Sequence, residues 1–390
     1  MKIKQITAAM LCAILLLSVL SGCGDPDAGS DAELIDEPLI TDADPETTDP
    51  EQIPVPEHGI DFEAALAAFA PDTIMIQSGD ITMTWAEFYV FLFRPVSSLA
   101  YSNDIGIEWD NELEDGSTLA DMVIEYVTEE ALQFMVIEYG AKELNITLSS
   151  EDIKALSEDV DNLIEMYGSK DELEISLREN GGFYSFEVFE SLIRLEYTMG
   201  LIMADLYGDN GESFPDDDVS EYALRNDYMM AKHILILSEE GDDAVALSES
   251  EDILKQLQSH INDDDFFDIF DALMHEHSED TGGLMTQPNG YLFQPVDMVA
   301  PFSEACAALE VGHMSDIVQT DYGYHIILRL PLDFDMIPIG AERTGQSHTL
   351  RQLAAMEDFD TVSQGWRDSL NPVFSPEYRS IDLATIFKWL

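Results

Sequence analysis

The chain has 390 residues, and its 79 Asp and Glu against 17 Lys and Arg give a formal net charge of -62. This length allows two or three domains of ordinary size. With 46% hydrophobic and 9% aromatic residues, the composition is that of a globular protein, which excludes a chain disordered throughout. Because phosphate and anionic lipid are bound by basic surfaces, so few cations exclude nucleic-acid binding and a polybasic membrane contact. Three cysteines, at positions 12, 23 and 306, exclude a disulfide scaffold.

The N-terminal 22 residues have the pattern of a bacterial secretion signal. Lys2 and Lys4 precede an apolar run, 6–20, which is too short to cross a bilayer as a helix. The run ends in Leu-Ser-Gly-Cys at 20–23, which resembles the lipobox of bacterial lipoproteins. That resemblance implies cleavage before Cys23 and diacylation of its thiol, and two acyl chains suffice for stable anchoring. The alternative is a plain secretory signal with an incidental cysteine.

The next segment, 23–60, begins with the predicted lipidated cysteine and has the composition of an extended tether. Between residues 24 and 59 it holds twelve acidic residues, six prolines and neither Lys nor Arg. Such a sequence repels itself and cannot bury a core, so we expect a disordered acidic linker. Its carboxylates lack the regular spacing of a calcium-binding loop, which favours a tether over a metal site.

Residues 61–227 are predicted to form a mostly helical domain. A short hairpin is expected around Ser78-Gly79, and Thr84-Trp-Ala-Glu87 is a capping box that begins a helix. Further along, apolar residues recur every three or four positions, which is the pattern of helices that pack on one face. The first of these helices is predicted over 118–144, and the second begins at Ser149 or Ser150. A third ends at Gly181-Gly182, a fourth covers 185–207, and a further segment begins at Pro215.

Residues 228–332 combine short strands with helices. The alternating run 231–237 predicts a strand with His233 on one face, and two more strands are expected around Tyr322-Gly323. The segments between them are predicted as helices over 251–261, 266–274 and 298–309, a turn at 277–283 and a strand at 290–293.

Four motifs in this region, taken in order, resemble the parvulin family of peptidyl-prolyl cis/trans isomerases. They are His233-Ile-Leu, Ser278-Glu-Asp280 before a glycine-rich turn, Met298 followed four residues later by Phe302, and Gly323-Tyr-His325-Ile-Ile. Each motif is weak alone, but the ordered set is specific and covers about a quarter of the chain. With the lipobox and the flanking helices, the chain resembles PrsA-type foldase lipoproteins, whose helical chaperone domain is related to that of SurA.

The resemblance implies an α+β fold in which a SurA-like and PrsA-like helical chaperone domain, 61–227, carries an inserted parvulin domain, 228–332. The parvulin domain is expected to be a small antiparallel sheet surrounded by helices. The last segment, 333–390, contains a predicted helix over 349–370 and an apolar tail. We expect this segment to return to the helical domain, so that deleting 340–390 destabilises that domain and leaves the isomerase domain folded.

The resemblance also implies roles for six residues in the isomerase domain. His233 and His325 match the paired histidines of the family, and Asp280 matches its Cys-or-Asp position. Met298 and Phe302 match the floor of the proline pocket, and Tyr322 falls at a variable position near the substrate. No metal or other cofactor is implied.

The implied chemistry is rotation about an X-Pro bond, which is slow because resonance keeps the bond planar. That resonance places negative charge on the carbonyl oxygen, and an apolar pocket disfavours the charge separation. Met298 and Phe302 would supply the apolar surface, a carboxylate such as Asp280 near the oxygen would oppose the planar form, and the histidines would hold the pocket geometry.

The sequence departs from the family pattern at two places. The usual glycine-rich turn is altered over 282–290, which is expected to reshape the rim of the pocket. Phosphate-reading members have Arg or Lys in the loop after the first strand, whereas this chain has Ser-Glu-Glu-Gly-Asp-Asp at 238–243. A preference for phosphoserine before proline is therefore not expected.

Each candidate residue also has a structural interpretation. A histidine on a strand is often a satisfied core residue, Asp280 is placed to cap the turn that follows, and Met298 and Phe302 are suited to a plain core. Cys306 lies on the packed side of its predicted helix, which indicates a structural role.

Two functions are consistent with the sequence. The first is a lipid-anchored, extracytoplasmic isomerase and chaperone whose clients are unfolded or partly folded secreted polypeptides with X-Pro bonds. The second is a non-catalytic holdase or assembly lipoprotein, in which a degenerate parvulin domain serves as a binding module. A solute-binding lipoprotein has no supporting motif. Formation of a homodimer is left open.

Overall fold

The computed structural model describes residues 59–102, 106–238, 243–341 and 347–389. The predicted signal segment, Cys23 and nearly all of the predicted tether lie outside the described residues. The described residues up to Met203, together with those from Val362 onward, form one compact unit, here called the helical unit, and Ala204–Thr361 form a second, here called the sheet unit. Among the described residues, every helix is too short or too polar to cross a membrane.

The helical unit is built mainly from long helices around a three-stranded sheet. Its elements are α1 (Phe62–Leu66), β1 (Ile74–Ser78), β2 (Ile81–Thr84), α2 (Trp85–Tyr101), α3 (Leu119–Leu144), α4 (Ser150–Tyr167), α5 (Lys170–Gly181), most of α6 (Phe186–Tyr207), the end of α12 (Leu350–Leu370), β7 (Val373–Phe374), a short 3-10 turn (Tyr378–Ser380) and α13 (Leu383–Ile386).

Local sequence explains where these helices begin. Thr84, Thr118 and Ser149 each accept a hydrogen bond from the third backbone N–H of the helix that follows, while the acidic residue at that position accepts from the cap residue's own N–H. Each reciprocal pair satisfies two donors that the helix leaves open. The predicted hairpin is confirmed, since β1 and β2 pair as antiparallel strands.

The C-terminal residues complete the core of the helical unit. Strand β7 pairs with β1, with Phe374 opposite Ile76, and the sheet order is β2-β1-β7. Leu383 and Phe387 are buried in the same apolar cluster as Trp85 and Tyr89, and the rings of Tyr89 and Phe387 stack at 5.9 Å between centroids.

The sheet unit is a small antiparallel sheet with helices, as predicted for the α+β class. Its elements are α7 (Asp216–Arg225), β3 (Met229–Leu237), α8 (Asp243–His260), α9 (Phe266–His277), α10 (Thr281–Thr286), β4 (Tyr291–Phe293), a 3-10 turn (Pro295–Asp297), α11 (Ala300–Ala308), β5 (Val318–Thr320), β6 (Gly323–Leu330) and the beginning of α12.

The four strands lie in the order β4-β3-β6-β5, with every pair antiparallel. Successive side chains of a strand point to opposite faces, so β3 and β6 divide their residues between two cores. Ile234 and Ile326 belong to the larger core with α8 and α9, whereas Ala231 and Ile327 belong to a smaller one with Phe302 of α11. His233 has the same parity as Ala231 and therefore faces α11.

The structure differs from the sequence prediction at two elements of this unit. Helix α8 begins at Asp243, well before the predicted 251, because Ala246 and Ser250 are buried and extend its packed side. The short helix α10 begins within the predicted turn at 277–283 and continues to Thr286, and its N-cap is Asp280. The sheet unit also includes residues outside 228–332, since Val219, Ala223, Leu350 and Ala354 are buried in its larger core.

Candidate active site

The paired histidines lie on the two central strands and contact each other directly. In the strand register, His233 is opposite Ile327 and His325 is opposite Leu235, so the two imidazoles are diagonal neighbours on one face of the sheet. Their Nδ1 atoms are 3.0 Å apart, and the rings stack with centroids separated by 5.1 Å. The two histidines predicted as catalytic are therefore brought together.

Asp280 holds the other side of His233. The segment after α9 runs beside the open half of β3, where the N–H of Glu279 donates to the carbonyl of Leu235 at 2.8 Å. This docking places the Asp280 carboxylate next to the histidine, with Oδ2 at 2.8 Å from His233 Nε2. The hydrogen bond from His233, together with those from Tyr291 and the Gly283 N–H, holds the pKa of Asp280 well below its ordinary value.

The same carboxylate also caps helix α10. Its Oδ1 accepts a hydrogen bond from the Gly283 N–H at 3.0 Å, while Oδ2 faces His233. Asp280 can therefore have both a functional and a structural role, because one carboxylate oxygen faces the histidine and the other caps the helix. Both oxygens are engaged within the site, so the carboxylate acts on the histidine rather than facing outward.

Tyr291 is part of the site although the sequence analysis did not single it out. Its hydroxyl donates to Asp280 Oδ2 at 2.5 Å, and its ring meets the His233 ring edge-to-face at 5.6 Å. A side chain at Gly283 would collide with the Tyr291 hydroxyl and the Asp280 carboxylate, so glycine is required for this close approach. In the sequence, Tyr291 stands out only as a residue with a polar hydroxyl in the apolar run of β4. That feature is a weak indication of a functional role.

The apolar side of the site is formed by α11. Phe302 is almost fully buried, and its ring is edge-to-face with both imidazoles, at 5.2 Å from His233 and 5.5 Å from His325. Met298 is partly buried against the same apolar cluster. The two residues predicted for the proline pocket therefore lie on the histidine side of the sheet. Cys306 is fully buried in that cluster, as predicted for a structural cysteine.

His325 is held in its neutral form. It is 4% exposed, and burial together with the nearby His233 lowers its pKa to about 3, against the opposing effect of Asp280. Its Nε2 is 2.8 Å from the Thr320 hydroxyl, a second contact that the sequence analysis missed. The Thr320 oxygen in turn accepts a hydrogen bond from the Tyr322 N–H at 3.1 Å.

An alternating arrangement of protons satisfies the whole chain of contacts. Thr320 donates to His325 Nε2, His325 Nδ1–H donates to His233 Nδ1, and His233 Nε2–H donates to the ionised Asp280. These tautomers are assigned from the network, because donors and acceptors must alternate along it. Such a network fixes the ring orientations beneath Phe302 and includes no activated nucleophile.

The remaining predicted residues are farther from this network. Tyr322 lies at the β5–β6 turn with its side chain 59% exposed, and it reaches the network only through its backbone N–H. A cavity beside Asp280, lined also by Lys232 and Tyr291, has a volume of only about 10 Å³. Space for a proline ring is therefore expected on the side of Phe302 and Met298.

Comparison with known families shows to which domain family this part of the chain is similar. The family model for the PPIC-type PPIase domain, a rotamase, matches residues 233–330, from the first histidine to the end of β6. Residues 233–330 are a PPIC-type peptidyl-prolyl isomerase domain. The predicted resemblance to the parvulin-type isomerases is confirmed, and the PPIase domain contains every candidate residue except Cys23.

Relatives extend beyond the PPIase domain. The foldase protein PrsA of Caldanaerobacter subterraneus is 28% identical over 276 residues, which are 67% of this chain and 74% of that protein. PrsA of Geobacillus sp. strain WCH70 is 30% identical over 45% of this chain, and PrsA of Staphylococcus epidermidis is 27% identical over 45%. These two alignments span only 54% and 51% of the relatives. The predicted relation to PrsA foldases is confirmed.

Solved structures of the same family also match. PrsA of Bacillus cereus covers 70% of this chain and 92% of its own, at 18% identity and a TM-score of 0.28. The foldase PrsA of Lactococcus lactis covers 81% and 99%, at 13% identity and a TM-score of 0.29.

Proposed function

We propose that the protein is a lipid-anchored, extracytoplasmic peptidyl-prolyl isomerase and chaperone for secreted polypeptides. The observation that carries this proposal is the continuous network Thr320–His325–His233–Asp280 packed beneath Phe302, inside a PPIC-type domain. The proposed domain organisation is a helical chaperone domain that begins at residue 61, is interrupted by the unit 204–361 that contains the isomerase domain, and is completed by the residues from 362 onward. The clients are unfolded or partly folded chains that contain X-Pro bonds.

In the proposed mechanism the apolar side of the site weakens the planar imide. Met298 and Phe302 grip the proline ring in a surface of low polarity, which disfavours the charge separation of amide resonance and lowers the rotation barrier of roughly 18–20 kcal/mol. His233 and His325 hold that surface in place, and Asp280 orients His233. Asp280 is assigned this positioning role because both of its oxygens already accept hydrogen bonds within the site.

A protease-coupled assay on a proline peptide tests the proposal. The wild-type chain is expected to accelerate cis-to-trans isomerisation above background, and Asp280→Ala is expected to reduce kcat/KM by at least about tenfold, since a charged hydrogen-bond partner is lost. Asp280→Asn keeps an oxygen for the Gly283 N–H and separates the loss of charge from the loss of the helix cap. Asp268→Ala, an exposed acid on α9, is the matched control.

The second candidate is a non-catalytic holdase whose isomerase domain only binds clients. The small cavity beside Asp280 and the Tyr291 hydroxyl that occupies its wall favour this alternative. A wild-type chain without activity above background, but with suppression of client aggregation, would establish the holdase.

The anchor is proposed from the lipobox sequence at 20–23. Labelling with a radioactive or clickable fatty acid in a bacterial host is expected to modify the wild-type chain and not Cys23→Ser. The wild-type chain should partition with detergent and the variant with the aqueous phase; incorporation of label into Cys23→Ser would refute lipidation at this residue.

A further inference from the structure

The helical unit contains a cavity that the isomerase site does not use. Its volume is about 490 Å³, within the range of roughly 300–1,000 Å³ that is typical of ligand sites. It lies between the segment that precedes α3 and the C-terminal residues of the chain. The lining residues are Ile107, Glu108, Trp109, Asp110, Asn111, Ala384, Phe387 and Trp389.

Local backbone features hold the aromatic residues of this cavity in place. Trp109 and Phe387 are buried, with ring centroids 6.4 Å apart, and Trp389 is half-buried and forms an isolated β-bridge to Ile60. Gly106 has a φ of +105°, and a Cβ atom at this position would lie 3.2 Å from the Trp389 ring, so glycine permits the close approach. The aromatic part of the cavity is therefore anchored by the core of the unit.

The exposed side of the cavity is acidic. The carboxylates of Glu108 and Asp110 are exposed on a turn closed by a hydrogen bond from the Asn111 N–H to the Glu108 carbonyl. Neither carboxylate has an ion-pair partner within the described part of the chain. Lys388 lies between two lining residues but is not itself part of the lining.

An aromatic wall next to carboxylates without an ion-pair partner among the described residues fits a cation carried on an apolar stem. Of the aromatic residues in this lining, Trp109 and Phe387 are buried and Trp389 is half-exposed, so the Trp389 ring is the one that a ligand would contact. The ring face attracts the cation through its quadrupole, the carboxylates add charge attraction, and the apolar walls accept the methylene groups. Lysine and arginine side chains have this composition. A second copy of the chain is a poor occupant, because its net charge of -62 would bring acids against acids.

We propose that this cavity binds lysine or arginine side chains of extended polypeptides. The site would be a second client contact, separate from the isomerase site, and only the source of its ligand rests on the proposed chaperone function. The cavity would give the chain a preference for client segments that contain basic residues.

Binding of fluorescent, unstructured peptides to the full-length chain tests this proposal. Three peptides of the same length and apolar content are compared, with arginine, its neutral isostere citrulline, or glutamate at the same positions. We expect the arginine peptide to bind at least tenfold more tightly than the citrulline peptide. Equal binding of the two would overturn the proposal, and binding of free arginine amide as tight as that of the peptide would reassign the cavity to a small cationic ligand.

Paired variants separate the cavity from the general acidity of the surface. Glu108→Gln/Asp110→Asn is expected to weaken arginine-peptide binding about tenfold, whereas Glu112→Gln/Glu114→Gln removes the same charge nearby, outside the lining, and should change binding less than twofold. Trp389→Leu keeps an apolar side chain and removes the aromatic ring. We expect the affinity for the arginine peptide to fall about three- to fivefold. Equal weakening by both acid pairs would refute a specific site.

The isomerase assay is run on the same variants. Glu108→Gln/Asp110→Asn is expected to keep wild-type activity on a short proline peptide, because its residues lie in the helical unit. A chain without isomerase activity that still prefers the arginine peptide would refute the catalytic function and retain the cavity as a binding site.

Discussion

In addition to the histidine pair, Tyr291 fixes the position of the Asp280 carboxylate. Tyr291→Phe retains the ring that meets His233 and removes only the hydroxyl that donates to Asp280. We expect kcat/KM to fall about tenfold, since a hydrogen bond to a charged group contributes on the order of 1.5–3 kcal/mol. Carbon-13 NMR should show the pKa of Asp280 closer to its ordinary value.

A matched control removes a hydroxyl elsewhere. Tyr126→Phe changes an exposed residue of the helical unit and should leave both activity and the Asp280 pKa as in the wild type. Unchanged activity in Tyr291→Phe would show that His233 and Gly283 alone position the carboxylate.

Glu196 on α6 makes the stability of the helical unit depend on pH. It is 7% exposed, its Oε2 has no hydrogen-bond partner among the residues that the structure describes, and burial raises its pKa to about 8. Since the folded-state pKa lies above the unfolded one, the unfolding free energy contributed by this group is fully present below about pH 4.5. It falls as pH rises toward 8, by up to about 1.4 kcal/mol per pH unit.

Glu196→Gln should remove this pH dependence. We expect the variant to have a higher urea midpoint than the wild type at pH 8 and nearly the same midpoint at pH 4.5. Glu190→Gln, a half-buried glutamate on the same helix, is the control. A variant that is less stable than the wild type at pH 8 would mean that the ionised carboxylate has a stabilising partner.

The candidate site was predictable where the residues carry a motif. The family motifs contain five of the site residues, namely His233, His325, Asp280, Met298 and Phe302. The structure brings the first three and Phe302 into direct contact. Tyr291 and Thr320 were missed because their hydroxyls acquire a role only through tertiary contacts, across strands and turns that local sequence does not specify.

The most predictable elements were those whose formation depends on a short local sequence pattern. The helices that begin at capping boxes and the β1–β2 hairpin follow from short patterns, so sequence and structure agree. Helix α10 was missed because its sequence, Thr-Gly-Gly-Leu-Met-Thr, is a poor helix former. It forms because Asp280 caps it and because the contact with His233 fixes the cap.

The last elements of the chain give a prediction about the order of unfolding. Deletion of 371–390 would remove β7 from the edge of β1 and Leu383 and Phe387 from the core around Trp85. We expect the helical unit to unfold while the sheet unit keeps its folded NMR or hydrogen-exchange signature. This boundary is preferable to 340, because Leu350 and Ala354 belong to the core of the sheet unit.

A point variant makes the same test with less disruption. Phe387→Ala should destabilise the helical unit by about 3–5 kcal/mol, which is typical for a buried aromatic residue. Lys388→Ala, at the neighbouring exposed position, should be neutral. Equal loss of protection in both units would show that they unfold as one, and would contradict the proposed insertion.

For the whole molecule, the acidic surface and the two-unit organisation are consistent with a chain that meets unfolded polypeptides. The helical unit leaves Met166 at 65% and Ile175 at 56% exposure. Acids accompany these apolar side chains, since Glu165 precedes Met166 and Glu174 precedes Ile175. Exposed apolar residues are suited to contact with apolar segments, and negative charge beside them is expected to oppose contact between copies of the chain.

Neutralising the acids around this surface should therefore promote self-association. We expect Asp161→Asn/Glu165→Gln/Glu179→Gln to raise the apparent mass in light scattering at neutral pH and low salt. Added salt should raise the apparent mass of the wild type in the same direction, because screening shortens the range of repulsion to roughly 10 Å at 0.1 M. Adding Met166→Gln to the triple variant should reverse the association, since the apolar contact is then lost. A triple variant that scatters like the wild type would show that these three acids do not oppose self-association.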